Sequence, residues 1–558
     1  MKAKKITALI AALSLVFSTG CGIVDSLSND LRSGLDRVQD TIDLLSGEIY
    51  HESYAFEDMS YEHYDENTFI DLCRNVESYA HSVPNKDEAR KAVAYLYEEL
   101  CYINTMYSLA EIAYYQNPNN TKNEEELYYI EDVYNRMYYE YMYAIGAVAA
   151  SDNAYILEDE FYTDTIDYMA EFFSVRDDDY ALAESELFTE ESRLVAEYYA
   201  IMSEEYPDFG AAAELFTELI TLRKDFAAFY GYDSAAEYYY ADYYYKDYTP
   251  EQSEALWAAA KEHLAPLIRE KGEEYYDSYY EILDNYSIDC SPDTILEAIG
   301  RNIPLISEEL DEAFTFMVDN GLYDIAPSST KADLGYTTRL YYYDVPFIFN
   351  SPYSEFADYL DLIHELGHYA NNYFTWSDLI FGYPDNDLCE LQSQGLEMLF
   401  TACYEDIFGE AAEDIESYLL MNKLVTLAEG LMYDEFQQLC YAEENLTGEK
   451  ATEMFCRVYE EYGFTPYEGY ESEWIYVPHN FEYPFYYISY AVSALPALEI
   501  YILMDDNLNA AIEKYMEVCL MDTEAYYFSE ALAEADFTDI FSDELEALLT
   551  ELVEKANK

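Results

Sequence analysis

The sequence predicts a mostly helical protein with one small β-sheet. Three observations carry that expectation. Over residues 87–287 the apolar positions keep a helical period, Gly and Pro are sparse, and Ala, Leu and Glu are frequent. A single stretch, 334–350, is rich in Tyr, Thr, Val, Ile and Phe, as strands are. Beyond it the helical period returns.

At the N-terminus, Lys2, Lys4 and Lys5 precede an apolar run over 6–17, and Ser18, Thr19 and Gly20 lead to Cys21. This pattern predicts an export signal over 1–20. Thr-Gly-Cys resembles a bacterial lipoprotein processing site, which implies lipidation of Cys21 and an anchor on the extracellular face of the cell membrane. Without lipidation the protein would be secreted. Leu27, Leu31, Leu35, Val38, Ile42 and Leu45 recur at helical spacing, so 21–50 is expected to be an amphipathic tether. A helical region is expected over 51–205 and a catalytic region over 206–558. Residues 89–106, 124–150 and 211–230 read as long helices, and 117–123 as a polar loop around Pro118. The Tyr- and acid-rich patch 238–248 reads as a helix face. Residues 490–504 form the most membrane-like later segment, but Pro496 and Glu499 interrupt it and it is short for a span.

The 558 residues carry 114 acidic against 28 basic side chains, a formal charge of −86. Phosphate binding needs the opposite sign, so nucleic acid is excluded as a partner. Nine cysteines are present without a CxxC pair, which excludes the common Cys-rich zinc sites. A monomer is expected.

The chemistry sits just after the strand-rich stretch. Ser351 and Pro352 look like a helix start, with Ser as N-cap and Pro at the first helical position. On the helix that follows, Asp361, His364, Glu365 and His368 fall at i, i+3, i+4 and i+7 and share a face, while apolar residues cover the rest. A polar stripe on a buried helix is costly without partners, and a metal ion supplies them. Two His one turn apart can reach one zinc ion at about 2.0–2.1 Å. Glu365, between them in HELGH, is then placed as a general base. A third ligand is needed. The next helix, over about 388–404, carries Glu390, Gln394, Glu397 and Thr401 on a polar stripe. Glu390 is the first choice as ligand and Glu397 as the group behind the ligands, with the roles exchangeable. Asp361 is a second candidate for that supporting shell. Asp387, eighteen residues after His368, is a further candidate ligand.

HELGH followed by CELQSQGLEML is similar to the thimet oligopeptidase and oligoendopeptidase F family of zinc metallopeptidases. The resemblance is clearest from about 211 to 501 and implies a large two-lobed helical fold with a deep channel. It implies one Zn2+ held by His364, His368 and Glu390. It also implies that DVPFIFN is an edge strand that holds an extended peptide. Gln392 stands where that family often has Pro or a small residue. Downstream, WIYVPHNFEYPFYYISYA resembles the family's His- and Tyr-rich segment. That match implies His479, Tyr486 or Tyr490 as hydrogen-bond donor to the reaction's oxyanion. The expected function is zinc-dependent endopeptidase action on short peptides at the cell surface. The alternatives are a peptide-binding lipoprotein with an inactive site, and a zinc aminopeptidase or dipeptidyl carboxypeptidase.

Overall fold

A computed structural model describes residues 54–558, apart from 84, 159–160, 162, 176–177, 205 and 381. The export segment, the tether over 21–50 and Cys21 lie outside the described residues.

The three long helices are present as Lys86–Gln116 (α1), Thr121–Ala149 (α2) and Phe209–Phe229 (α3). Each begins on a polar cap. The side chains of Asn85, Asn120 and Asp208 accept from the backbone N–H of Asp87, Lys122 and Ala211, satisfying donors that the first helical turn leaves free. Pro250–Asn285 (α4) starts on a full capping box between Thr249 and Gln252, with Pro250 in its first turn.

The patch 238–248 is not a simple helix face. The helix Ala235–Tyr238 passes into a π turn, Tyr239–Tyr243, and the chain then leaves the helical form, with Tyr245 at φ 53. The rings of Tyr239, Tyr240, Tyr244 and Tyr248 are all buried. A regular helix would have turned some of them to solvent.

The sheet has three strands, Tyr323–Asp324 (β1), Gly335–Leu340 (β2) and Val345–Asn350 (β3), in the order β1-β3-β2. β2 runs antiparallel to β3 with Gly335 opposite Asn350, and β1 is parallel to β3. DVPFIFN is therefore the central strand, not an edge. All six residues of β3 are buried, which is why it reads as an unbroken apolar run. Pro346 is tolerated in the centre because it shares its side with Ile348, whose N–H meets Leu322 on the β1 side. β1 pairs only with Ile348 and Phe349, so no ladder bond is lost at Pro346. β1 and β2 are the two edges, and β2 is the longer.

The motif helix is Ala357–Phe374 (α5), and its start differs from expectation. Ser351 is not its cap, because the helix begins only at Ala357, and the Ser351 N–H instead bonds the Leu334 carbonyl and prolongs the hairpin. Asp358, in the first turn, instead reaches back to accept from the N–H groups of Tyr353 (2.9 Å) and Glu355 (3.1 Å).

Asn386–Phe400 (α6), capped by Asp385, packs against α5. A Cβ on Gly367 would stand 2.6 Å from the Gln392 carbonyl and from Ser393 Cα. Glycine in HELGH thus allows the two helices their close approach. Ala412–Ala442 (α7) and Ile488–Cys519 (α8) complete the surroundings. α8 runs on through Pro496. It is long and apolar enough to cross a membrane, but 67% of its apolar window is buried in the protein, as in a core helix. Its C-terminal end is tied back to the site helices. Asn371 donates to the carbonyls of Cys519 (2.9 Å) and Met521 (2.7 Å), and Gln392 to that of Val518 (3.0 Å). One continuous apolar core runs from Met59 to Leu552. The eight cysteines among the described residues are free thiols, six of them buried.

Candidate active site

α5 and α6 bring His364, His368 and Glu390 together. His364 Nε2 lies 3.7 Å and His368 Nε2 4.0 Å from Glu390 Oε2, and a donor atom from each of the three lies within 4.8 Å of the others. Glu390 Oε1 also accepts from the Tyr486 hydroxyl (3.2 Å), and Oε2 from Ser393 (3.3 Å).

Glu397, two turns along α6, takes the supporting role. Its Oε1 meets His364 Nδ1 at 2.8 Å and accepts from Lys423 Nζ of α7 at 2.7 Å. A carboxylate on one ring nitrogen turns the other toward the ligand cluster and fixes the tautomer. Burial alone would raise the Glu397 carboxyl, but Lys423 and His364 hold it below the usual range. Burial pushes His368 down to about 3; it lowers His364 too, but the hydrogen bond to Glu397 and the nearby carboxylates raise His364 to about 9, and a bound metal ion would need both imidazoles neutral.

The donor set fits zinc. Glu365 and Glu390 are both buried. Burial raises both carboxyls above the normal range, and a divalent cation would compensate them. Glu365 Oε2 accepts from Thr337 Oγ1 of the edge strand β2 at 2.6 Å, so the expected base is held by the sheet.

Asp387 is not a ligand. It forms an ion pair with Lys246 at 2.7 Å, both side chains 1% exposed, and Lys246 also donates to Ser489 in the first turn of α8 (2.9 Å). Asp361 does not stand behind the ligands either. It opens into a cavity of about 270 Å³ that reaches His364 and Glu365. Its position on the stripe is right, but Glu397 comes in from α6 to occupy the space behind His364.

The downstream segment converges on the same place. His479 has its ring centroid 5.8 Å from that of Tyr486 and 6.1 Å from that of Tyr490, and the two Tyr rings are 5.4 Å apart. Burial lowers His479 to about 4, and burial beside Glu390 keeps both phenols protonated. All three can therefore donate hydrogen bonds if His479 presents its N–H. The segment is pinned from several sides. Gln437 of α7 donates to Asn480 (2.8 Å) and accepts the Phe485 N–H (2.6 Å). This holds Phe485 at φ 62, a position bulky residues rarely take. Tyr198 bonds the Ile475 carbonyl at 3.0 Å, and the buried Arg223 bonds that of Phe481. A second cavity of about 270 Å³, walled by Tyr244, Tyr383, Tyr483 and Tyr486, lies on this side.

Sequence reasoning missed Lys423, Thr337, Lys246 and Gln437. The signal for Lys423 was a lone cation in the apolar run MNKLV of a chain with only 28 basic residues. Thr337 and Gln437 carry no comparable signal.

No protein-family model matches the chain. It is 27% identical over 222 residues to the oligoendopeptidase F homolog of Lactococcus lactis subsp. lactis (strain IL1403), covering 36% of each protein. It is 21% identical over 258 residues to oligopeptidase PepF of Bacillus subtilis (strain 168), covering 43% of this chain and 38% of that one. The match thus spans less than two-fifths of either curated relative. In fold, it resembles a Bacillus anthracis str. Ames protein assigned as an oligoendopeptidase F, with a TM-score of 0.69 at 20% identity, over 91% of this chain and 99% of that one. Sequence and fold both relate the chain to oligoendopeptidase F.

Proposed function

We propose that this relative of the oligoendopeptidase F peptidases is a zinc-dependent endopeptidase that hydrolyses short peptides. The observation that carries the reading is the convergence of His364, His368 and Glu390, with the Glu397–Lys423 pair behind His364 and Glu365 beside the cluster. When bound by these three ligands, zinc would polarise the scissile carbonyl and acidify water. Glu365, steadied by Thr337, takes a proton from the attacking water and returns it to the leaving amine. Tyr490, Tyr486 or His479 donates to the oxyanion as the carbonyl carbon becomes tetrahedral, Tyr486 by turning its hydroxyl away from Glu390. The edge strand β2, next to Glu365, is the element suited to align an extended peptide main chain.

The test uses mature protein and a library of terminally blocked, internally quenched peptides. Cleavage is followed with zinc, with a chelator, and for Glu365→Gln. Internal cleavage that disappears in the last two samples is the expected result. A zinc-loaded protein that binds the peptides but leaves them intact would refute the enzyme reading and favour a peptide-binding lipoprotein. Cleavage confined to unblocked peptides would favour an aminopeptidase or dipeptidyl carboxypeptidase. We extend the proposal to export, with a lipid on Cys21 and action as a monomer at the outer face of the membrane. Mass spectrometry of the mature N-terminus tests the anchor.

A further inference from the structure

The cavity beside His364 and Glu365 has about 270 Å³, below the roughly 300–1,000 Å³ of sites that hold whole small ligands. It has the scale of a subsite for part of a ligand. Its walls divide by chemistry. Ile325, Leu334 and Leu362 give an apolar side, Asp333, Asp358 and Asp361 give carboxylates, and no Lys or Arg lines it.

The three acids differ in what they are free to do. Both oxygens of Asp358 are engaged by the N–H groups of Tyr353 and Glu355. Asp333 accepts the Tyr353 hydroxyl. Asp361 makes no hydrogen bond among the described residues, and its side chain is exposed to the cavity. A second feature of the same wall points to a ligand. Asn350 is 6% exposed, and its Oδ1 is buried with no hydrogen-bond partner. A Cβ on Gly335 would stand 2.5 Å from that oxygen, so the glycine that opens β2 leaves it room. A buried acceptor without a donor is costly unless something supplies the donor.

We propose that this cavity is the subsite for a lysine or arginine side chain adjoining the scissile bond. Asp361 pairs with the cationic head, the apolar side packs the methylene stem, and an N–H of the entering residue satisfies Asn350. The inference rests on the peptidase reading and names the substrate class of that site. Long basic side chains combine an apolar stem with a charged end, which is what the two sides of the wall offer. A divalent cation would want six or more oxygens, yet two of the three carboxylates are already committed and one wall is apolar. Asp361 lies deep in the protein although open to the cavity, and burial together with the like charge of Glu397 pushes it up to about 7. A bound cation relieves that crowding. The charge of −86 on the whole chain favours the approach of such peptides.

The test uses zinc-loaded protein and blocked, quenched peptides that differ in one residue, Lys or norleucine, placed on either side of the cleavable bond in turn. At one of the two positions kcat/KM for Lys should exceed that for norleucine about tenfold or more, the scale of one charge-assisted contact. The ratio should shrink with added salt. It should fall below about threefold in Asp361→Asn with zinc content unchanged, since the neutral amide keeps shape but loses the charge. Equal rates for both peptides at both positions would overturn the subsite and leave the peptidase standing, as would a ratio that survives in Asp361→Asn. If neither peptide is cleaved, the peptidase reading falls. Calorimetric binding to Glu365→Gln then decides the subsite, with tighter binding of the Lys peptide upholding it and equal affinities overturning it.

Discussion

Replacing Lys246 by Met should destabilise this protein more than a typical point change, and the reason is local. Lys246 and Asp387 are each 1% exposed and paired at 2.7 Å. The Lys246 ammonium also stands 5.7 Å and 5.4 Å from the ring centroids of Tyr244 and Tyr248. Methionine keeps the length of the side chain but leaves the Asp387 carboxylate buried without a counter-charge. Breaking one side of such a pair costs roughly 3–5 kcal/mol. Unfolding entropy is about 2.1 cal/mol/K per residue, so a unit of about 500 residues loses about 1 °C of Tm per kcal/mol. Lys246→Met should therefore lower Tm by about 3–5 °C if the chain unfolds as one unit. Adding Asp387→Leu, which removes the orphan charge, should restore most of the loss. Differential scanning calorimetry at fixed protein and zinc concentration measures both variants. A single variant within about 1 °C of the parent, or a double variant no more stable than the single, would refute the reasoning.

Three other outcomes are expected. Lys423→Met should weaken zinc binding about 10–100-fold in a chelator competition, since Glu397 then loses the charge that keeps it anionic behind His364; unchanged affinity would remove Lys423 from the site. Thr337→Val should lower kcat roughly tenfold with little change in KM, a fraction of the roughly 10²–10⁴-fold that a positioned base supplies; an unaltered kcat would mean that Glu365 needs no steadying from β2. Glu111, Asp385 and Glu429 are each raised to about 7, all chiefly by burial. Their folded forms hold protons more tightly than the unfolded chain, so metal-free protein should gain stability as pH falls from 8 toward 5, and lose it again as pH rises through 7. Tm measured across that range checks the sign, and Glu429→Gln should flatten the slope.

The candidate ligand pair was legible because it is local. Spacing of three and four residues on one helix fixes which side chains share a face, and HELGH needs no tertiary information to place His364, Glu365 and His368 together. Glu390 and Glu397 were legible only as a polar stripe. Which one joins the two histidines depends on how far along α6 the two helices touch, and that is set at Gly367 against Gln392 and Ser393. Lys423 is 26 residues from Glu397 in the chain, and Lys246 141 residues from Asp387, so neither partnership leaves a local trace. Ser351 and Pro352 show how a correct local rule can lose. They have the makings of a cap, but residue 351 still extends the hairpin and the helix starts only at Ala357. DVPFIFN misled in the same way, since a resemblance places a strand near the site but not at the rim or the middle of its sheet.

The ties from Asn371 and Gln392 to the carbonyls of residues 518–521 bear on how the chain comes into being. A nascent chain that has just exposed HELGH and Glu390 still lacks about 130 residues of the support for both helices. The histidines then have sequence without posture, and Tyr486 and Tyr490 have yet to be made. Whatever activity the candidate site has therefore arrives late in synthesis. The candidate site is thereby assembled only once nearly the whole chain is present.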